Sequence, residues 1–206
     1  MASRTVLIDF GAGNLHSVHN ALKAAGADDV AVTSDPAVVA AADRIVLPGV
    51  GAFAHCRAAL FGIDGMVAAL NDRVRRDGVP FLGICVGMQM MAGVGLEHGR
   101  HHGLGWIGGT VSALDPKLRE VRVPHMGWNA VTLDRAHDVV QPGEAYFLHS
   151  YAFEPSNQAD VLAVTDHGGP VVAAVARGNM LGVQFHPEKS QGYGIALMKR
   201  FLEWKP

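Results

Sequence analysis

The chain has 206 residues, 49% of them hydrophobic and 17% charged, with a formal net charge of -2. That length suits one domain over residues 1–206 with a substantial core, and the near-neutral charge gives no basis for a nucleic-acid partner. Two cysteines, Cys56 and Cys85, leave no disulfide framework.

The N-terminus reaches a strand-like run, Thr5 to Phe10, without a signal-peptide pattern. The longest mostly apolar stretch, Phe81 to Leu96, holds Gln89 and four glycines and makes a poor membrane span. A cytoplasmic protein with no membrane partner is expected.

Arg4 to Phe10 reads as a first buried strand, running into Gly11-Ala12-Gly13-Asn14. Asn14 stands where an N-cap would open a helix from Leu15 to Ala25, closed by Gly26. Gly11-x-Gly13 does not complete a dinucleotide fingerprint, because His16 stands where the third glycine belongs. Val30 to Thr33 is a second strand, and Asp35-Pro36 opens a short helix to Ala42. Arg44 to Leu47 is a third strand, ending in Pro48-Gly49-Val50-Gly51-Ala52-Phe53. Helical stretches follow at Ala54 to Leu60 and Gly65 to Arg76, and Cys56 in the first is expected to serve packing. Strands alternating with helices imply an α/β fold whose mostly parallel central sheet is covered on both faces, with sites at the carboxyl ends of the strands.

Val79 to Met91 is the stretch around which the chain is organised. A short apolar strand, Phe81 to Ile84, passes through Gly83-Ile84-Cys85-Val86-Gly87 into residues of good helix propensity. A residue between near glycines at a strand-to-helix join is the pattern of a nucleophile elbow. The turn pushes the Cys85 side chain out against a helix N-terminus, where partial positive charge favours a thiolate. The Val86 N–H is placed to donate to an oxyanion.

After Gly93 helical patterns become scarce. Glu97 to Gly105 is a polar, glycine-rich loop whose His98, His101 and His102 lack the cysteine or carboxylate company of a metal site. Strands are expected at Thr110 to Ala113, Val121 to Val123, Asn129 to Leu133, Ala145 to Leu148, Val161 to Val164, Val171 to Arg177 and Met180 to Gln184, as hairpins packed beside the parallel sheet. An amphipathic helix from Tyr193 to Trp204 closes the pattern.

The last strand leads into Gln184-Phe185-His186-Pro187-Glu188-Lys189. Pro187 forbids a continuing helix and holds His186 extended, so that the side chains at i and i+2 point the same way and Glu188 reaches the imidazole. A thiol, a base and a group orienting the base form the triad logic of nucleophilic catalysis.

Gly83-x-Cys85-x-Gly87 with His186-x-Glu188 resembles the class I (triad) glutamine amidotransferases, over nearly the whole chain. Four segments resemble, within that class, the glutaminase-subunit family of imidazole glycerol phosphate synthases of histidine biosynthesis. They are Asp9 to Asn14, Pro48 to Phe53, Pro124-His125-Met126-Gly127-Trp128-Asn129 and Tyr146-Phe147-Leu148-His149-Ser150-Tyr151. The resemblance implies a three-layer, flavodoxin-like α/β fold and hydrolysis of L-glutamine through a glutamyl thioester on Cys85, with His186 and Glu188 completing the triad. It implies that Gly51, Gln89, Ser150 and Tyr151 hold glutamine, and that Asn14, Trp128, Tyr146 and Lys189 lie at a docking face. It implies a separate (β/α)8-barrel cyclase as heterodimer partner, which receives the ammonia, and neither cofactor nor metal.

The second oxyanion donor is expected from the Gly49–Val50 peptide. Val50 is β-branched and resists positive φ, while its glycine neighbours make a peptide flip inexpensive, so the hole is expected to be unformed in the isolated chain. The glutaminase subunit of pyridoxal-phosphate synthase is the competing enzymatic reading, to which Trp128 and Pro48 to Gly51 are not natural. A catalytically retired binding module is opposed by the intact Cys85, His186 and Glu188, and a cysteine peptidase by Gln89 and the crowded elbow.

Overall fold

The computed structural model describes residues 3–119 and 121–206. Its first half alternates β1 (Arg4–Ile8), α1 (Leu15–Ala24), β2 (Asp29–Thr33), α2 (Pro36–Val39), β3 (Arg44–Gly49), α3 (Phe53–Phe61) and α4 (Met66–Leu70), which runs on as a π-helical turn over Asn71–Arg76. The elbow follows as β4 (Phe81–Cys85) and α5 (Val86–Gln89). The second half holds β5 (Ala92–Gly95), β6 (His101–His102), β7 (Ile107–Ala113), α6 (Pro116–Arg119), β8 (His125–Leu133), β9 (Gly143–His149), β10 (Tyr151–Pro155), β11 (Val161–Asp166), β12 (Pro170–Arg177), β13 (Met180–Val183) and α7 (Gln191–Glu203). Short 3-10 turns lie at Gln158–Asp160 and Pro187–Lys189.

Nine strands form one sheet in the order β2-β1-β3-β4-β13-β12-β11-β8-β9. Neighbours run parallel from β2 to β13 and antiparallel from β13 to β9. The parallel strands read as apolar runs because both faces are covered: Val6, Leu7 and Ile8 of β1 and all of β4 are buried. The antiparallel strands therefore extend the main sheet, correcting the expectation of hairpins set beside it. A second sheet, β10-β7-β5-β6, stands apart.

Three further expectations need correction, and one strand lies where none was expected. Val121 to Val123 form no strand; β8 starts at His125, after Pro124, which has no N–H to give a ladder. Asn14 occupies the N-cap position of α1, but its side chain makes no capping hydrogen bond. His186 is extended, as expected of the residue before Pro187, but the extension stops there: Pro187 opens the 3-10 turn that carries Glu188, its missing N–H tolerated at a first turn. Tyr151–Pro155 pairs with β7 as a strand that a reading for alternation passed over.

Phe185 sets the geometry where β13 ends. It is fully buried and meets Phe147 of β9 edge-on at a centroid distance of 5.6 Å. Successive side chains of an extended segment point to opposite faces, so Gln184 and His186 turn the other way, toward the end of β4. Among the described residues, no single helix is long and apolar enough to cross a membrane.

Candidate active site

Cys85 ends β4 with φ 55 and ψ -110, a left-handed backbone that side chains other than glycine seldom adopt. The turn closes because Gly87 has no side chain: a Cβ there would strike the Leu47 carbonyl of the neighbouring strand. Val86 opens α5, so its N–H belongs to the first helical turn, which has no partner one turn back. Cys85 is 4% exposed and borders a cavity of about 650 Å³ lined also by, among others, Val50, Gly51, Gln89, Glu97, His149 and Lys189.

His186 and Glu188 arrive from the adjacent strand. The His186 Nδ1–H donates to Glu188 Oε1 at 2.9 Å, and both side chains are buried. The other ring nitrogen is within hydrogen-bonding reach of the Cys85 sulfur. Burial works against a charged ring, but the Cys85 sulfur and the Glu188 carboxylate outweigh it and push the His186 pKa up to about 9. A sulfur on one side and a carboxylate on the other thus hold an imidazolium at neutral pH. Glu188 Oε2 is buried without a hydrogen-bond partner.

Ser190 fixes this arm. Its hydroxyl donates to His186 O at 2.7 Å and accepts from Tyr146 N–H at 2.9 Å, while His186 N–H donates to Tyr146 O at 2.9 Å. The segment after β13 is thereby stitched to β9. Nothing in the sequence singled out Ser190, because a serine opening a helix is common.

The cavity brings together the residues expected to hold glutamine. Gln89 is buried, and its Nε2 donates to Tyr151 O and to Gln184 Oε1, both at 3.0 Å. Both amide hydrogens are used inside the protein, so only Oε1 is left to face the cavity. Gly51 takes φ +97, open only to a glycine at ordinary cost. Ser150 and Tyr151 line the same wall. Glu97, missed in the sequence, is the one carboxylate among the lining residues, and its Oε2 accepts from Phe53 N–H at 2.6 Å at the start of α3.

The Val50 N–H is turned away from the sulfur, donating to Ala12 O at 3.3 Å. Cys56 is buried, and its thiol donates to Val50 O at 3.3 Å, so it braces the loop besides packing. Burial pushes that thiol up to about 12, with the charges of Cys85 and Glu97 adding to the shift.

The residues expected at a docking face flank the cavity mouth. Asn14 and Lys189 line it, and the Lys189 ammonium lies 5.9 Å from the centre of the Tyr146 ring. Trp128 and Tyr146 are paired across β8 and β9 and meet edge-on at 6.2 Å. Beside them Met126 and Leu148 are paired as well, and Met126, Trp128 and Leu148 are all exposed. The histidine loop holds His101 Nε2 3.4 Å from His98 O, and among the described residues no group of three His, Cys, Asp or Glu could hold a metal ion.

A strained cysteine opposite a carboxylate-backed histidine, at the carboxyl ends of two parallel strands, defines a class of protein. The chain matches the glutamine amidotransferase class-I family over residues 6–204, and it belongs to that family. Two solved structures share the fold at low identity. A glutamine amidotransferase gives a TM-score of 0.75 at 18% identity over 96% of this chain and 97% of that one. PurLQS from Thermotoga maritima gives 0.67 at 14% identity over 98% of each. Closer in sequence is the imidazole glycerol phosphate synthase subunit HisH of Zymomonas mobilis, 57% identical over 209 residues, 100% of this chain and 98% of the relative. The HisH subunit of Rhodospirillum rubrum is 50% identical over 98% of this chain and 100% of its own length. Within the class, the chain falls in the HisH family.

Proposed function

We propose that this protein is the glutaminase subunit of an imidazole glycerol phosphate synthase, a single-domain enzyme of the cytoplasm. The reading rests on one observation above all: a Cys85 sulfur at a strained elbow, facing an imidazole whose far nitrogen is held by Glu188 at 2.9 Å. High identity to HisH subunits along the whole chain supports the choice of synthase.

The chemistry follows from the positions. The Cys85 thiolate attacks the side-chain amide carbon of glutamine, a C–S bond forms, and negative charge gathers on the former carbonyl oxygen. Val86 N–H is the first donor to that oxygen; the Gly49–Val50 peptide is the second, once it leaves Ala12 O. The imidazolium of His186 passes its proton to the departing nitrogen, the C–N bond breaks, and ammonia leaves a glutamyl thioester. Neutral His186 then takes a proton from water, whose oxygen attacks the thioester. The C–S bond breaks and glutamate is released. Glu188 holds the ring in one orientation throughout. Gly51, Ser150 and Tyr151 border the substrate, Gln89 offers its Oε1, and Glu97 offers a carboxylate to the α-ammonium.

Ammonia released to neutral water is mostly protonated and no longer nucleophilic, so a partner must cover the site. Trp128, Tyr146, Asn14 and Lys189 form the face for a (β/α)8-barrel cyclase, with Trp128 as aromatic anchor. The test is glutaminase activity of the chain alone, with the cyclase, and with cyclase plus its nucleotide, for the native protein and Cys85→Ala. The alanine variant is expected to be inactive throughout. The native chain alone is expected to be slow, because Val50 N–H is engaged with Ala12, and fast when the partner is liganded. Equal rates alone and in the liganded complex overturn the unformed oxyanion hole.

A further inference from the structure

Gln184 is fully buried, precedes His186 by two residues, and touches the reacting atom: its Nε2 lies 3.7 Å from the Cys85 sulfur. The mechanism above gives it no task. An amide can present either its NH2 or its oxygen to a neighbour, so the hydrogen-bond network decides which end faces the sulfur.

That network leaves one answer. Tyr151 O is a carbonyl and only accepts, so the Gln89 atom 3.0 Å from it is the NH2. The same NH2 donates its second hydrogen to Gln184, which therefore presents its oxygen, at 3.0 Å. The Gln184 NH2 is left facing the sulfur. The far side of Tyr151 O is locked as well. His149 Nδ1 donates to it at 2.9 Å, so the His149 Nε2, in a neutral ring, accepts from His125 Nδ1–H at 3.0 Å. His125 Nε2 then accepts from Asn129 Nδ2 at 3.0 Å, which also donates to Asp166 O at 2.8 Å. Burial keeps both rings neutral, pushing His125 down to about 4 and His149 down to about 3. Reversing the Gln184 amide would set its NH2 against that of Gln89 and its oxygen against the sulfur.

We propose that Gln184 is a further catalytic residue, whose Nε2–H donates to the Cys85 sulfur and holds it as the thiolate that attacks glutamine. The inference rests on the reading of Cys85 as nucleophile. A thiolate with His186 alone has one donor; with Gln184 it has two, set at the end of a row of bonds that permits one polarity.

The test follows alkylation of Cys85 by iodoacetamide over a series of pH values, by peptide mass spectrometry, on the full chain, Gln184→Met and Gln184→Glu. Methionine keeps the length and loses the donor. Ionised glutamate keeps the acceptor for Gln89 but turns an oxygen toward the sulfur. The other titratable groups around the sulfur, namely His186, Glu188, His149, Tyr151, Glu97, Lys189 and Cys56, are the same in all three proteins. The midpoint is expected to rise by about one pH unit in Gln184→Met, with alkylation about tenfold slower at neutral pH, and further in Gln184→Glu. A thermal melt separates lost packing from a lost donor, since packing alone moves the melt and leaves the midpoint in place. Native midpoints in the variants overturn the role of Gln184 while Cys85 remains the nucleophile. A native Cys85 that resists the reagent at every pH overturns the nucleophile reading and this inference with it. On the native chain, the side-chain amide resonance of Gln184 is expected to shift with the Cys85 midpoint. A resonance that stays fixed overturns the inference without any substitution.

Discussion

Replacing Glu188 by glutamine tests the triad most directly, because it changes one charge and almost no volume. In the native site the carboxylate accepts from His186 Nδ1–H at 2.9 Å, while its second oxygen is buried without a partner. The glutamine amide then has two poor choices. With its oxygen toward the ring, it sets an NH2 where there is nothing to accept, at about 1–3 kcal/mol for an unsatisfied buried group. With its NH2 toward the ring, it requires Nδ1 without a proton, which moves the ring proton to the nitrogen facing the sulfur and removes the base. In both cases the loss of negative charge lets burial pull the His186 pKa down from about 9. A charge-assisted hydrogen bond is worth about 1.5–3 kcal/mol, so kcat/KM is expected to fall by about 10–100-fold from that term, and further if the wrong tautomer prevails. The assay is glutamine hydrolysis against pH in the complex with liganded cyclase, where the alkaline limb is expected to move to lower pH. The stability effect has the same sign. The folded ring titrates at about 9, above its ordinary 6.5, so its contribution is full below 6.5 and is lost as pH rises through about 9. Retention of kcat/KM within about threefold, with an unmoved alkaline limb, would refute the assignment of Glu188.

Gly87→Ala is expected to cost about 3 kcal/mol or more in chemical denaturation, since its Cβ has nowhere to go but into Leu47 O; an unchanged midpoint counts against the elbow. Ser190→Ala leaves the Tyr146 N–H unpaired and takes one of two donors from His186 O, which keeps the Lys189 N–H at 3.0 Å. A loss of about 2 kcal/mol in stability is expected, with kcat reduced more than KM changes, and equal loss in both would place Ser190 in substrate binding instead. Trp128→Ala, at a half-exposed ring, is expected to alter stability by less than about 1 kcal/mol but to weaken cyclase binding by about 2 kcal/mol in calorimetry. Unchanged affinity would move the docking face elsewhere.

The sequence made the elbow legible because the demand there is steric and local: Gly83 and Gly87 around Cys85 permit few other shapes. His186 and Glu188 were legible through their spacing, although the 3-10 turn that joins them was not, since Pro187 excludes a long helix and permits a short turn equally well. The parallel half was read from apolar runs such as Val6-Leu7-Ile8. The second sheet was not, because β5 and β6 are short and Tyr151–Pro155 lacks alternation. Gln184, Glu97 and Ser190 act through partners distant in the chain, Gln184 through Cys85 and Gln89, Glu97 through Phe53, Ser190 through Tyr146. No local pattern sets such polar residues apart from surface ones.

The placement of β13 bears on how the protein comes to be active during its synthesis. The last strand in chain order is inserted between β4 and β12, joining the parallel and antiparallel halves along one seam. A ribosome-bound chain lacking that strand has neither a continuous sheet nor an imidazole opposite its thiol. Pairings so remote in sequence form slowly, and the pairing of β13 with β4 is also the one that brings His186 opposite Cys85. A chain cut before β13 is therefore expected to lose architecture and reactivity together.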